Sequence, residues 1–135
     1  ESAAFLVRSQ QAYVLYLGDT GADAIEKTDK LHYVWQEIAP LLKAHQLKGI
    51  FIEASYPNEQ PDSQLFGHLT PRLLLQEMRN LGQVSGADAL RGLPVIVTHL
   101  KPTGDAKARI QQQLQQDNNL GLKFIFPVQG QRLTL

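Results

Sequence analysis

The chain has 135 residues, enough for one domain with a substantial core. Thirteen Lys and Arg offset thirteen Asp and Glu, so no net field favours nucleic acid or an anionic membrane. The absence of cysteine excludes disulfides and thiolate-bound zinc and leaves His, Asp and Glu as the strong metal ligands.

Lack of cysteine suits a periplasmic and a cytosolic protein equally. No apolar run approaches the ~20 residues of a membrane span, and no signal peptide is visible. The chain begins Glu1-Ser2-Ala3 rather than with Met, which reads as a fragment or a processed product.

In chain order, Ala3 to Arg8 and Ala12 to Leu17 are short apolar runs separated by Ser9-Gln10-Gln11, a pattern that predicts a β-hairpin. Ile25 to Leu42 predicts a helix with Leu31, Trp35, Ile38 and Leu42 on one stripe, kinked or split near its end by Pro40. Gly49 is expected to stop the turn that follows. Ile50 to Ala54 is a continuous apolar strand of the type buried on both faces. Ser55 to Gln64 reads as a loop. Thr70-Pro71 starts a helix as N-cap and first-turn proline, with Leu73, Leu74, Met78 and Leu81 inward and Gly82 ending it. Val95 to Leu100 predicts a strand, and Asp105 to about Asp117 a helix with Ala108, Ile110 and Leu114 inward. Lys123 to Phe126 predicts a strand, and Arg132 to Leu135 another. Alternating strands and helices give an α/β chain with a largely parallel sheet.

Apolar runs end on polar side chains three times, at Asp19, at Glu53 and at His99, while His68 sits just before a helix. Ligands of α/β proteins bind at the carboxyl ends of the strands, so Asp19, His68 and His99 could converge on one site. Asp19 lies between Gly18 and Gly21, which suits close approach to a ligand and equally suits a plain turn or N-cap. His99 closes a strand, where it suits a metal ligand, an acid–base group or a half-buried structural histidine. His68, near a helix N-terminus, favours an oxyanion or phosphate. Glu53 on a buried strand must be paired, metal-bound or shifted in pKa, and could orient a neighbouring histidine. Ser55, Tyr56 and Asn58 offer hydrogen bonds to a polar substrate, and Lys101 either assists an anionic ligand or is solvated. His32 and His45 read as structural or solvent-facing. Asp19 and His99 supply two ligands in all, and no His-x-His-x-Asp-His cluster occurs, so the chain does not assemble a complete dinuclear centre by itself.

Four motifs occur in order: Leu17-Gly18-Asp19-Thr20-Gly21-Ala22-Asp23, Phe51-Ile52-Glu53-Ala54-Ser55-Tyr56-Pro57-Asn58, Leu65-Phe66-Gly67-His68-Leu69-Thr70-Pro71 and Thr98-His99-Leu100-Lys101-Pro102. With the closing Ile125-Phe126-Pro127-Val128-Gln129-Gly130, they resemble the C-terminal half of class II 3′,5′-cyclic-nucleotide phosphodiesterases of the metallo-β-lactamase-like superfamily. The resemblance implies that residues 1–135 form a single domain or half-domain, the C-terminal half of an αββα sandwich with a mixed sheet and flanking helices. It implies Asp19 as a carboxylate bridging two metal ions and His99 as the closing histidine ligand. It implies His68 as the phosphate-side general acid supported by Glu53. The expected reaction is hydrolysis of cAMP to 5′-AMP with two zinc ions in the full-length enzyme. The expected partners are a cyclic nucleotide and the missing N-terminal half, with no membrane and no nucleic-acid polymer. The resemblance to bacterial members implies the periplasm, with the cytoplasm as alternative.

Two other readings compete. A ribonuclease Z-like nuclease fits the superfamily, but neutral charge and the lack of a basic arm argue against a large nucleic-acid substrate. A phospho-acceptor receiver domain would use Asp19, Thr98 and Lys101, but Thr98 and Lys101 share one strand end and no paired acidic residues follow an early strand.

Overall fold

The computed structural model describes residues 2–101 and 103–135. Pro102 of the Lys101-Pro102 turn and the terminal Glu1 lie outside the described residues. Strands β1 (Ala4–Ser9) and β2 (Ala12–Leu17) form the expected antiparallel hairpin, with Phe5 opposite Tyr16 and Val7 opposite Val14. Strands β3 (Leu47–Glu53), β4 (Pro94–Thr98) and β5 (Lys123–Ile125) then add in sequence order, each parallel to its neighbour. The result is a mixed five-stranded sheet in the order β1-β2-β3-β4-β5. Parallel strands need crossovers, and helices supply them. Helices α1 (Asp23–Glu26) and α2 (Lys30–Lys43) join β2 to β3. Helix α3 (Pro71–Ser85) joins β3 to β4, and α4 (Ala106–Gln116) joins β4 to β5.

Leu15, Leu17, Ile50, Ile52, Val95 and Val97 point from alternate positions of β2, β3 and β4 into one core. There they meet Leu31, Trp35, Ile38 and Leu42 of α2, Leu74, Met78 and Leu81 of α3, and Ile110 and Leu114 of α4. The opposite face carries the row Phe5, Tyr16, Phe51, Ile96, Ile125 across all five strands. Phe5 and Tyr16 in that row stay exposed, as does Val7.

Several local expectations need correction. The helix expected over 25–42 breaks at Lys27, which adopts a left-handed conformation at φ 53° and caps α1. The Asp23 carboxylate then caps α2, accepting from Leu31 N at 3.1 Å and His32 N at 2.8 Å, as well as from Thr28 Oγ1 at 2.8 Å. Periodicity alone hides this, because the apolar stripe begins at Leu31 in either case. Pro40 does not split α2, which continues to Lys43. So close to the helix end its missing donor leaves few bonds to disrupt. Gly49 lies inside β3 rather than in a turn. A Cβ there would sit 3.1 Å from Leu135 Cδ1 and 3.2 Å from Ile96 Cδ1, so the position needs its small size. Helix α3 runs through Gly82 to Ser85, and Gly86 at φ 88° ends it. At Gly82 a Cβ would lie 3.0 Å from Leu90 Cδ1, so this glycine admits the following short 3₁₀ turn, Ala87–Leu90, against the helix. In α4, Ala106 is buried and Ala108 is exposed. Residues 132–135 form no strand; Leu135 instead reaches over Gly49.

The loop after β3 is pinned from two sides. Asn58 Oδ1 accepts from Arg72 N at 2.7 Å, and Asn58 N donates to Gln113 Oε1 at 2.9 Å. Arg109 Nη2 lies 2.6 Å from Glu59 Oε1, and Gln113 Nε2 donates to both Glu59 oxygens at 3.1 Å. Asn58 thus serves the fold through α3 and α4.

Two expected outcomes follow from these anchors. Asp23→Ala should lower unfolding stability by about 1–2 kcal/mol through loss of a cap, while Asp29→Ala should change it little. Asp29 precedes the first residue of α2 but makes no side-chain capping bond. Urea denaturation of both variants checks the pair. The Arg109 and Gln113 hydrogen bonds hold the Glu59 carboxyl below its ordinary value of 4.5. A depressed carboxylate contributes stability above its unfolded pKa and loses it as pH falls through the folded value. The stability gap between wild type and Glu59→Gln should therefore be present at neutral pH and close on acidification below about 4.5. Urea midpoints measured across that range test this.

Candidate active site

Because β2, β3 and β4 are parallel, their carboxyl ends share one edge of the sheet, and the chain places a polar residue at or just past each end. Asp19 follows β2, Glu53 is the last residue of β3, and His99 follows β4. His68 reaches the same edge from the segment before α3. Asp19, His68 and His99 each offer one ligand atom, and these atoms all lie within 4.8 Å of one another. His99 Nδ1 stands 3.0 Å from Asp19 Oδ1, and the rings of His68 and His99 are 5.2 Å apart. The strand ends before His99, whose φ of 55° turns its ring toward Asp19. Histidine is among the residues that tolerate this region best.

These distances fit a divalent ion. Bonds of roughly 2.0–2.2 Å from His nitrogen and carboxylate oxygen place two tetrahedral ligands on the order of 3.3 Å apart. The Asp19–His99 separation of 3.0 Å is close to that, and His68 offers its ligand atom within 4.8 Å of both. The group also has the hard and borderline donors, carboxylate and imidazole, that such ions prefer.

Glu53 explains how the arrangement is held. Its side chain has no exposed surface, so its oxygens need partners. Oε1 accepts from His68 Nδ1 at 2.7 Å and from Thr20 N at 2.7 Å. Oε2 accepts from Ser55 Oγ at 2.5 Å and from Leu69 N at 3.3 Å. One carboxylate thus ties the residue after Asp19 to the ring of His68 and to the residue after it. A carboxylate only accepts, so the proton between the two groups belongs to His68 Nδ1, and the ring presents Nε2 to the cluster. Ser55 is buried beside this pair, with Oγ 3.2 Å from His68 Nδ1, so it supports the histidine and is not available to a substrate.

Glu77 is a site residue that sequence reasoning missed. It sits on the buried side of α3 with 1% exposure. Its Oε1 accepts from Asp23 N at 3.1 Å, and its Oε2 accepts from Trp35 Nε1 at 2.9 Å and Asn80 Nδ2 at 3.2 Å. The turn that carries Asp19 is therefore fastened by Glu53 at Thr20 and by Glu77 at Asp23. Its place among the inward residues of α3, beside Leu74 and Met78, was the available signal, since a glutamate there must find donors.

Tyr56 stands edge-on to His68, with ring centroids 5.9 Å apart and planes at 75°. Lys101 Nζ donates to Tyr56 Oη at 3.1 Å and lies 4.8 Å from the ring centre. Lys101 is thus engaged by Tyr56 instead of being simply solvated. His32 and His45 are exposed and remote from the cluster, as the sequence suggested.

A comparison with known proteins gives a consistent answer. The model of the family described as cAMP phosphodiesterases class-II matches residues 1–130. The chain is 43% identical to a probable 3′,5′-cyclic-nucleotide phosphodiesterase of Yersinia pestis, over 96% of this chain and 39% of that protein. It is 42% identical to a 3′,5′-cyclic-nucleotide phosphodiesterase of Aliivibrio fischeri, over 98% of this chain and 42% of the relative. The crystal structure of unliganded yeast PDE1 superimposes with a TM-score of 0.79 at 31% identity, covering 94% of this chain and 38% of that one. The chain thus spans about two fifths of the length of the relatives it matches. The match leaves the receiver-like and ribonuclease Z-like readings without support. With a mixed α/β sheet of the metallo-β-lactamase-like type and four family motifs gathered along one sheet edge, this chain belongs to the class II cAMP phosphodiesterases.

Proposed function

We propose that the protein containing this chain hydrolyses 3′,5′-cAMP to 5′-AMP and that this chain supplies one side of the site. The observation that carries the reading is the Asp19, His68, His99 cluster, with His68 held by a buried carboxylate. Zinc is the proposed ion, since histidine and carboxylate donors without thiolate suit it. When bound, two such ions lower the pKa of a water and neutralise charge on the phosphate oxygens. Asp19 and His99 would be the residues of this chain that hold them.

His68 has a separate task. Glu53 retains the proton on Nδ1, so proton exchange runs through Nε2. Water attacks phosphorus, the bond from phosphorus to the 3′ oxygen breaks, and Nε2 delivers a proton to that oxygen. Glu53 stabilises the imidazolium that must exist before the transfer, as a buried carboxylate does behind a catalytic histidine.

Three ligand-capable groups are too few for two ions with three or more protein ligands each. The remaining ligands are proposed to come from an N-terminal half. The exposed sheet face bearing Phe5, Val7 and Tyr16 is the proposed surface against which it packs. A paired sheet there would bury apolar side chains that now face water. The compartment proposed with this function is the periplasm.

The test is His68→Ala in the full-length protein, with cAMP turnover and bound metal measured together. The expected result is a kcat lower by roughly 10²–10⁴-fold with zinc content unchanged. Loss of zinc along with activity would make His68 a ligand, and an unchanged rate would remove it from the mechanism.

A further inference from the structure

Phe66 stands at the tip of a turn whose two ends are buried. Leu65 is 1% exposed and Leu69 is fully buried, whereas Phe66 between them is 80% exposed. The turn closes with His68 N donating to Leu65 O at 3.1 Å. Its two central residues, Phe66 at φ 52° and Gly67 at φ 80°, both take positive φ, the pattern of a type I′ turn. Glycine and asparagine suit those positions and a large aromatic does not, so the backbone is strained while the ring gains no burial in return. Both terms oppose folding of this segment, and the ring of Phe66 stays 80% exposed.

The location gives the ring a task. Phe66 is two residues from His68, and Gly67 lines the same cavity of about 340 Å³ as Asp19, Thr20 and Gly21. The cavity that Asp19 lines therefore reaches the Phe66 turn at Gly67. A cyclic nucleotide with its phosphate at the cluster must direct its base outward, because Glu53 and Ser55 close the inner side. A flat, solvated aromatic ring carried two residues before His68 offers a stacking surface to a purine and no hydrogen-bond readout of it.

We propose that Phe66 is the stacking platform for the nucleobase, which makes it a specificity-determining residue. The inference rests on the phosphodiesterase reading above. A base-stacking residue contributes to substrates that carry a base, whereas a residue that only packs against the rest of the protein affects all substrates alike.

The experiment uses the full-length protein and two substrates, cAMP and the base-free diester bis(4-nitrophenyl) phosphate. Phe66→Ala should lower the ratio of kcat/KM for cAMP to that for the base-free diester by about tenfold, the scale of a stacking contact. Phe66→Tyr should restore the ratio, and Phe66→Leu, which is apolar but lacks a π face, should not. An equal loss on both substrates, an unchanged ratio, or restoration by leucine would overturn the proposal, the first of these indicating a packing role. Wild-type protein that turns over the base-free diester but not cAMP would overturn the cyclic-nucleotide reading on which the inference rests.

Discussion

Glu53 carries a buried carboxylate at the end of a central strand, and both the Asp19 turn and the His68 segment are tied to it. Burying such a group is costly unless its oxygens are fully hydrogen-bonded. The chain meets that requirement with donors from three segments: Thr20 N after β2, Ser55 Oγ after β3, and His68 Nδ1 and Leu69 N before α3. Satisfying the carboxylate therefore also sets the separation of the Asp19 turn from the His68 ring. The position of the site follows from an energetic demand of the core, because any displacement of the turn or the ring would leave a buried charge short of partners.

Glu77 does the same from the helix layer. Its donors are the backbone of Asp23, the indole of Trp35 and the amide of Asn80, with no cation among them. Asp23, held by its backbone, uses its side chain to cap α2. The sequence from Thr20 to His32 is thus one chain of dependence: Glu53 fixes the first residue, Glu77 the fourth, and the fourth fixes the start of the long helix. Asp19 keeps its carboxylate exposed at the head of this chain, free of any structural duty except the contact to His99.

How much of this was legible in the residues depends on the range of the forces involved. The strands, the N-cap at Thr70 and the gathering of polar residues along one sheet edge follow from local pattern and from the parallel connection of strands, and they could be read directly. In the sequence Gly49, Gly82 and Pro40 read as local punctuation, whereas β3 runs through Gly49, α3 through Gly82 and α2 through Pro40 without splitting. Gly49 answers to Leu135 and Ile96, which are remote in sequence, Gly82 to Leu90 in the turn just past the helix, and Pro40 is tolerated because the helix has little left to lose at that point. The Asn58 amide and the Ser55 hydroxyl could serve a substrate or the protein, and only the fold shows that Asn58 Oδ1 accepts from Arg72 N and that Ser55 Oγ donates to Glu53. Glu77 left a signal, a glutamate on an apolar helix stripe, but its partners could not be identified without the packing of α3 on α2.

The exposed sheet face and the ligands proposed to come from an N-terminal half point to the same second layer. Helices cover one face of the sheet, and on the other the row from Phe5 to Ile125 has β1 and Tyr16 open to water. A sheet with one dry face is stable, yet this exposed face is aromatic and aliphatic where an antiparallel edge facing solvent would be polar. The ligand cluster lies at the carboxyl edge of that same sheet, where a second layer packed on the exposed face would end beside it. A layer that buried Phe5, Val7 and Tyr16 would bring its own loops to Asp19 and His99. The same docking would then remove the apolar surface from water and complete the coordination of the ions.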